Sequence, residues 1–230
     1  MLSLLDDFVS LIYPQVCQAC GNTLFRNEEI ICTYCRYHLP RTHYHKLKDN
    51  PLAQVFWGRV NLENVSAFYF FRKGGRVQHL MHQFKYKGRD EIGVYLGRLY
   101  GAELRQEEAF SSIEMVIPVP LHIKKLRKRG YNQSEKFAEG LAASMNIELE
   151  TSVLIRTFAS ETQTRKTRFS RWENVKEIFK VTDPQKITGK HILLVDDVIT
   201  TGATIEASAQ HLLETEGVRL SVASLACAVH

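Results

Sequence analysis

The chain has no apolar run approaching the roughly 18 to 20 residues that a bilayer-spanning helix requires. Its opening Met1-Leu-Ser-Leu-Leu-Asp-Asp also lacks the basic start of a secretory signal, so a soluble, cytoplasmic protein without membrane insertion is expected. Cysteine is scarce: there are 5, four of them between Cys17 and Cys35. An odd total gathered in one segment fits reduced thiols and metal better than a disulfide framework. Two nucleotide-binding fingerprints are missing as well. Gly189-Lys190 is followed by His191, and Pro184 stands where a P-loop needs its first glycine; Gly74-Gly75 opens no dinucleotide motif. There is no internal repeat and no low-complexity stretch. Charge of one sign is only mildly in excess, +5 within a 24% charged fraction, which calls for local interpretation while favouring anionic ligands.

What is present is enough apolar material, 44% of 230 residues, to bury one substantial core with a small satellite module beside it. Leu5, Phe8, Val9 and Ile12 share a helical face ended at Pro14. Residues 38 to 51, polar and basic with two prolines, read as a linker. Residues 1–50 are thus expected to form an N-terminal helix, cysteine module and linker, and 51–230 the main domain. Strands are expected over 64–71, 115–119, 192–195 and 218–227, with an extended piece over 152–157. Helices are expected towards Gln83 and over 91–103, 134–145 and 204–216, and a polar loop over 159–174. This alternation argues for βαβ units in a parallel α/β sheet.

The most informative segment is Ile192-Leu-Leu-Val-Asp-Asp-Val-Ile-Thr-Thr-Gly-Ala-Thr204. A continuous apolar strand ends in two acids, where open α/β sheets place their ligands. Thr200, Thr201, Gly202, Ala203 and Thr204 then lead into a helix whose first N–H groups and dipole favour phosphate, with Gly202 allowing close approach or positive φ. Carboxylates would repel phosphate, but Asp196 and Asp197 suit ribose hydroxyls and Mg²⁺. The stretch resembles the phosphoribosyl diphosphate (PRPP) motif of type I phosphoribosyltransferases. That resemblance assigns Asp196 and Asp197 to the ribose and Thr200 to Thr204 to its 5-phosphate.

Cys17-x-x-Cys20 and Cys32-x-x-Cys35, with 11 residues between them, form two knuckles able to close a tetrahedral Zn²⁺ shell. Four protein thiolates leave no place for a catalytic water, so a structural role is expected. Cys227, in an apolar strand, reads as a core thiol.

Three basic clusters remain. Lys124 to Arg129 carries five Lys or Arg residues in six, after a strand ending in Pro118-Val-Pro-Leu-His122. It reads as a basic loop that holds a pyrophosphate group, lies solvated or meets nucleic acid. Residues 162 to 174 add Arg165, Lys166, Arg168 and Arg171 beside Phe169 and Trp172, suiting a lid over a diphosphate, a stacking surface for single-stranded nucleic acid, or a plain surface loop. Phe84-Lys85-Tyr86-Lys87-Gly88-Arg89 is the third.

Taken in order, the cysteine knuckles, Phe-Lys-Tyr-Lys-Gly-Arg, Pro-Val-Pro-Leu-His with Arg-Gly-Tyr-Asn-Gln, Thr162-Gln163 and the Asp-Asp-Val-Ile-Thr-Thr-Gly-Ala-Thr loop resemble the ComF family. The resemblance implies a type I phosphoribosyltransferase fold with a small four-cysteine zinc module, and a link to natural competence and its machinery through imported single-stranded DNA. In one departure, Thr164, Arg165 and Lys166 follow Gln163 where a leucine often stands. Two functions are carried forward. The first is transfer of phosphoribose from PRPP with Mg²⁺ to a nitrogen acceptor, with Lys85, Arg127, Arg129, Arg165 and Arg168 as candidates for the diphosphate. The second is a non-catalytic PRPP-binding protein that works by contacting single-stranded DNA. The acceptor and the oligomeric state are not legible.

Overall fold

A computed structural model describes residues 14–157 and 179–228. The expected N-terminal helix and the polar loop, with Arg165 and Arg168, lie outside these residues.

In chain order the main elements are α1 (Thr33–His38), α2 (Pro51–Gln54), β1 (Val65–Phe71), α3 (Arg76–Tyr86), α4 (Glu91–Leu104), β2 (Met115–Pro118), α5 (Ile123–Arg129), α6 (Gln133–Met145), β3 (Glu148–Leu149), β4 (Leu154–Arg156), β5 (Phe179–Val181), β6 (His191–Ile199), α7 (Ala203–Leu213) and β7 (Arg219–Ala228). Five strands form one parallel sheet in the order β1-β7-β6-β2-β3, while β4 and β5 pair antiparallel as a separate ribbon. The sheet is covered on both faces, which explains why Ile192 to Val195 of β6 is an unbroken apolar run rather than an alternating one. Phe68, Val116, Leu193, Val195 and Leu225 face a cluster built with α3, α4 and α6. Ala67, Ile117, Ile192, Leu194 and Val222 face the opposite cluster, built with α2, α7 and the ribbon.

Helices α4 and α6 cross almost backbone to backbone. A Cβ on Gly97 would stand 2.2 Å from the Phe137 carbonyl oxygen, and one on Gly140 would stand 2.2 Å from that of Val94. Only glycine permits this approach, and it seats α6 firmly beneath β2 and β6.

The structure departs from three expectations. The segment read as a linker is packed structure: Thr42 N–H donates to the Phe68 carbonyl at 3.2 Å, Phe70 N–H donates to that of Pro40 at 2.8 Å, and Arg41 bridges Tyr69 antiparallel. It covers the free edge of β1, a place where an unpaired strand otherwise invites association. Asn50, 1% exposed, anchors its end by donating to the carbonyls of Leu47 and Val65, each at 2.8 Å. The basic segment Lys124–Arg129, read as a loop, is the helix α5, capped by the His122 side chain and closed by Gly130 at φ +86°. It buries no residue, so no apolar periodicity announced it. Strand β6 also continues through both acids to Ile199, pairing with β7 as far as Cys227.

Candidate functional site

The site is built at the carboxyl end of β6, between α3, α5 and α6 on one side and α7 on the other. Thr200 to Thr204 with Asp196, Val198, Ile199 and Ile205 line a small cleft at the start of α7. Asp196, Val198 and Thr204 also line the adjoining cavity of about 150 Å³, together with Lys85, Lys125, Arg129, Ser134, Arg156 and Asp197. The cleft and the cavity are therefore contiguous, and the acids stand between them.

Gly202 caps α7 at φ +77°. A Cβ there would also lie 2.8 Å from Phe56 Cε1 and 2.9 Å from Cζ. Phe56 is 1% exposed, so the loop is pressed against a fixed ring. Arg59 adds a second brace, with Nη1 donating to the Thr201 carbonyl at 3.3 Å and Nη2 paired with Glu206. Neither Phe56 nor Arg59 was foreseen from the sequence, because the segment after α2 carries no motif.

Asp196 sits below the opening. Its Oδ1 accepts from Ser134 Oγ at 3.0 Å and from the Asp197 N–H at 2.8 Å. Burial, then the charge of Asp197, pushes its carboxyl up to about 7, while those hydrogen bonds and Lys85 pull the other way. Asp197 is held by Lys85, Nζ to Oδ2 at 2.8 Å. Ser134 is placed by the cap of α6, where the Asn132 side chain accepts from Ser134 N–H at 3.1 Å and donates to the Val119 carbonyl at 3.0 Å. Two anchored ends, Val119 just past β2 and Ser134 of α6, thus fix one carboxylate.

Among the described basic candidates, Lys85 and Arg129 line the cavity. Arg129 also donates to Gln133 Oε1 at 2.6 Å and lies 5.3 Å over the Tyr86 ring. Arg127 is exposed on α5 and does not line it. Arg156 and Lys125 do, and neither was singled out as a diphosphate ligand from the sequence.

Outside the lining of this cavity, the Sγ atoms of Cys17, Cys20, Cys32 and Cys35 all lie within 4.8 Å of one another. Cys20 and Cys32 are 3.7 Å apart, close to the edge of a tetrahedron with Zn–S bonds of about 2.3 Å. The Cys32 N–H points at Cys17 Sγ, 3.3 Å away, and the Cys35 N–H at Cys32 Sγ, 3.5 Å away, an arrangement that favours thiolates. The donor set fits a structural Zn²⁺. Cys17, Cys32 and Cys35 belong to the same apolar cluster as Phe68 and Leu193, so the module is fused to the sheet rather than tethered.

The family model described as phosphoribosyl transferase domain matches residues 131–229. DNA utilization protein YhgH of Shigella flexneri is 29% identical over 211 residues, covering 90% of this chain and 88% of that one. Competence protein ComFC of Bacillus subtilis is 26% identical over 220 residues, covering 91% of this chain and 82% of its own length. Competence protein F of Haemophilus influenzae is 29% identical over 130 residues, or 55% of this chain and 57% of that one. The matched span runs from Tyr131 through α6, the acids of β6, the threonine cleft and β7. Among the described residues no helix is long and apolar enough to cross a membrane.

Proposed function

We propose, from the premise that this chain is a ComF-family phosphoribosyltransferase-domain protein, that it binds PRPP with Mg²⁺ and transfers the phosphoribosyl group to a nitrogen acceptor. The observation that carries the reading is the contiguity of a threonine-lined cleft at a helix start with a cavity holding two acids and several cations. A helix leaves its first N–H groups without partners inside the helix, and the positive end of its dipole adds to their attraction for a phosphate. The Thr200–Thr204 cleft would take the 5-phosphate. Asp196 and Asp197, one step away, would accept from the ribose hydroxyls, and Lys85 and Arg129 face the space left for the diphosphate. Bound Mg²⁺, held through the carboxylates, would neutralise diphosphate oxygens as the leaving group gains charge. The protein's own part is orientation and fixed charge: the ribose is held at both ends while its C1 faces the acceptor. We place residues 1–50, with Zn²⁺ on the four cysteines, as a structural module on the domain formed by 51–230.

The test is direct. Titration calorimetry with PRPP and Mg²⁺ measures binding, and pyrophosphate release with a panel of nucleobases measures transfer. Binding without turnover on any base would leave a ligand-binding protein and remove the transferase claim. A second reading, contact with single-stranded DNA, is favoured by the exposed Lys124, Lys125, Arg127 and Lys128 on α5 and by the DNA-related names of the relatives. It requires an affinity that falls with salt, since neutralised phosphates release counterions. A salt-independent affinity excludes it.

A further inference from the structure

We propose that a second cavity, of about 530 Å³ and set behind the threonine loop, binds a nucleobase, free or as its nucleoside, and that its occupancy lowers the phosphate affinity of the Thr200–Thr204 cleft. The regulatory half rests on the phosphoribosyl reading; the binding site does not. The cavity lies between the end of the 40–50 segment and the stretch that joins α2 to β1. None of Asp196, Asp197 and Thr200 to Thr204 lines it, so it is separate from the substrate cavity. Phe56 and Arg59 nevertheless belong to both places. They line this cavity, and they brace the loop, Phe56 against Gly202 and Arg59 on the Thr201 carbonyl.

The lining selects the ligand. Trp57 is 61% exposed beside a neighbour, Phe56, that is 1% exposed. A tight turn holds it there: the Trp57 N–H donates to the Gln54 carbonyl at 3.3 Å, those of Arg59 and Val60 donate to the Phe56 carbonyl at 3.0 and 3.2 Å, and Gly58 has φ +71°. An indole kept largely in water leaves apolar area exposed, and a flat ring stacked on it removes that area from water. Charge argues against a phosphate here, because Lys48 and Arg59 are balanced by Asp49 and Glu63. The two acids accept from ring N–H and amino groups, and Asn61 both donates and accepts. A flat, uncharged molecule edged with N–H and C=O groups is a nucleobase, and the volume lies within the roughly 300 to 1,000 Å³ of small-molecule sites.

Arg59 supplies the link to the cleft. Its Nη1 already serves two carbonyls, Val55 at 3.1 Å and Thr201 at 3.3 Å, while Nη2 holds Glu206. A ring carbonyl entering the cavity competes for Nη1, and the contact it displaces is the one that steadies the loop. Occupancy therefore weakens phosphate binding, and by linkage phosphate weakens the ligand by the same factor.

The experiment uses the full zinc-loaded chain carrying Trp172→Phe, which leaves Trp57 as the reporter because the sequence holds 2 tryptophans. Adenine, adenosine, uracil and uridine are titrated against its fluorescence, with AMP as the charged control. At least one base or nucleoside should quench it saturably below about 1 mM, with AMP within about 10-fold of adenosine. That ligand at saturation should weaken PRPP in calorimetry by about 5- to 10-fold, and PRPP should weaken the ligand equally. Trp57→Ala should abolish ligand binding, read by calorimetry, with PRPP affinity and melting temperature unchanged. Arg59→Ala should keep the quench and lose the coupling. If none of the four quenches, the site is overturned, while PRPP binding by the same protein keeps the substrate reading. Quenching without any change in PRPP affinity overturns the regulation, and a larger gain for AMP overturns the assigned chemistry. If the protein binds no PRPP, inorganic phosphate replaces it as the cleft probe. Reciprocal coupling to phosphate then keeps the site and removes the PRPP reading, and no coupling removes both.

Discussion

Substituting Gly202 by alanine separates two strains that the structure superimposes at one atom. The first is conformational, because φ is +77° and an L side chain there costs roughly 1 to 2 kcal/mol. The second is steric, because the new methyl would meet the Phe56 ring at 2.8 and 2.9 Å, distances that force movement. Phe56 is buried, so its displacement adds about 1 to 3 kcal/mol, the usual penalty of overpacking. Gly202→Ala should therefore lose about 2 to 4 kcal/mol in urea unfolding. It should also lose PRPP affinity, because relief by backbone movement shifts the N–H groups of the cleft. Phe56→Leu shortens the ring's reach, and on its own costs about 1 kcal/mol for the lost apolar contact. Combined with Gly202→Ala it should be less damaging than the sum, with a coupling energy of about 1 kcal/mol or more, while the conformational part remains. A double-mutant cycle reads this directly. If the two changes add, or Gly202→Ala is neutral, Phe56 does not set the position of the cleft.

Further outcomes follow from the same geometry. The Asp196 carboxyl ionises near 3.8 in an unfolded chain but near 7 when folded, so between those values the native state holds the extra proton and stability falls as pH rises. Asp196→Asn should be more stable than wild type at pH 8 by on the order of 4 kcal/mol and nearly equal at pH 4, while losing ribose binding; equal urea midpoints at pH 8 would contradict the burial argument. Stripping metal from zinc-loaded protein with a chelator should lower the melting temperature of the whole fold by roughly 10 °C in one transition, because the cysteines share the core of the sheet. Two separate transitions would show that the module is independent. Arg59→Ala frees the Thr201 carbonyl, and should weaken PRPP by about 3- to 10-fold with under about 1 kcal/mol lost in stability, its ion pair being half in water. An unchanged affinity removes Arg59 from the site.

The comparison of sequence with structure divides along physical lines. The strand of Ile192 to Val195, the two acids after it and the helix that starts past Gly202 were legible because a buried strand, the end of its apolar run and a glycine before a helix all leave local traces. The cysteine knuckles were legible for the same reason. Helix α5 was not, since Lys124 to Arg129 bury nothing and a helix without an apolar face has no period to read. The packed course of residues 40–50 was hidden because it rests on single side chains, such as Thr42 Oγ1 donating to the Ala67 carbonyl. Phe56, Arg59, Ser134 and Arg156 reach the site from segments far from it in the chain, and their roles depend on which strands become neighbours. Parallel pairing across crossovers is set by the whole fold, not by any window of residues.

The position of β7 bears on how the molecule is made. This strand is synthesised after every other described strand, yet it lies between β1 and β6 and pairs with both. In the finished sheet β1 has its outer edge covered by residues 40–42 and its inner edge paired only with this last strand. Closure of so non-local a sheet is slow compared with the folding of local helices. Removing Arg219–Ala228 would therefore leave two facing strand edges unpaired at once and split the sheet in its middle rather than trim its rim.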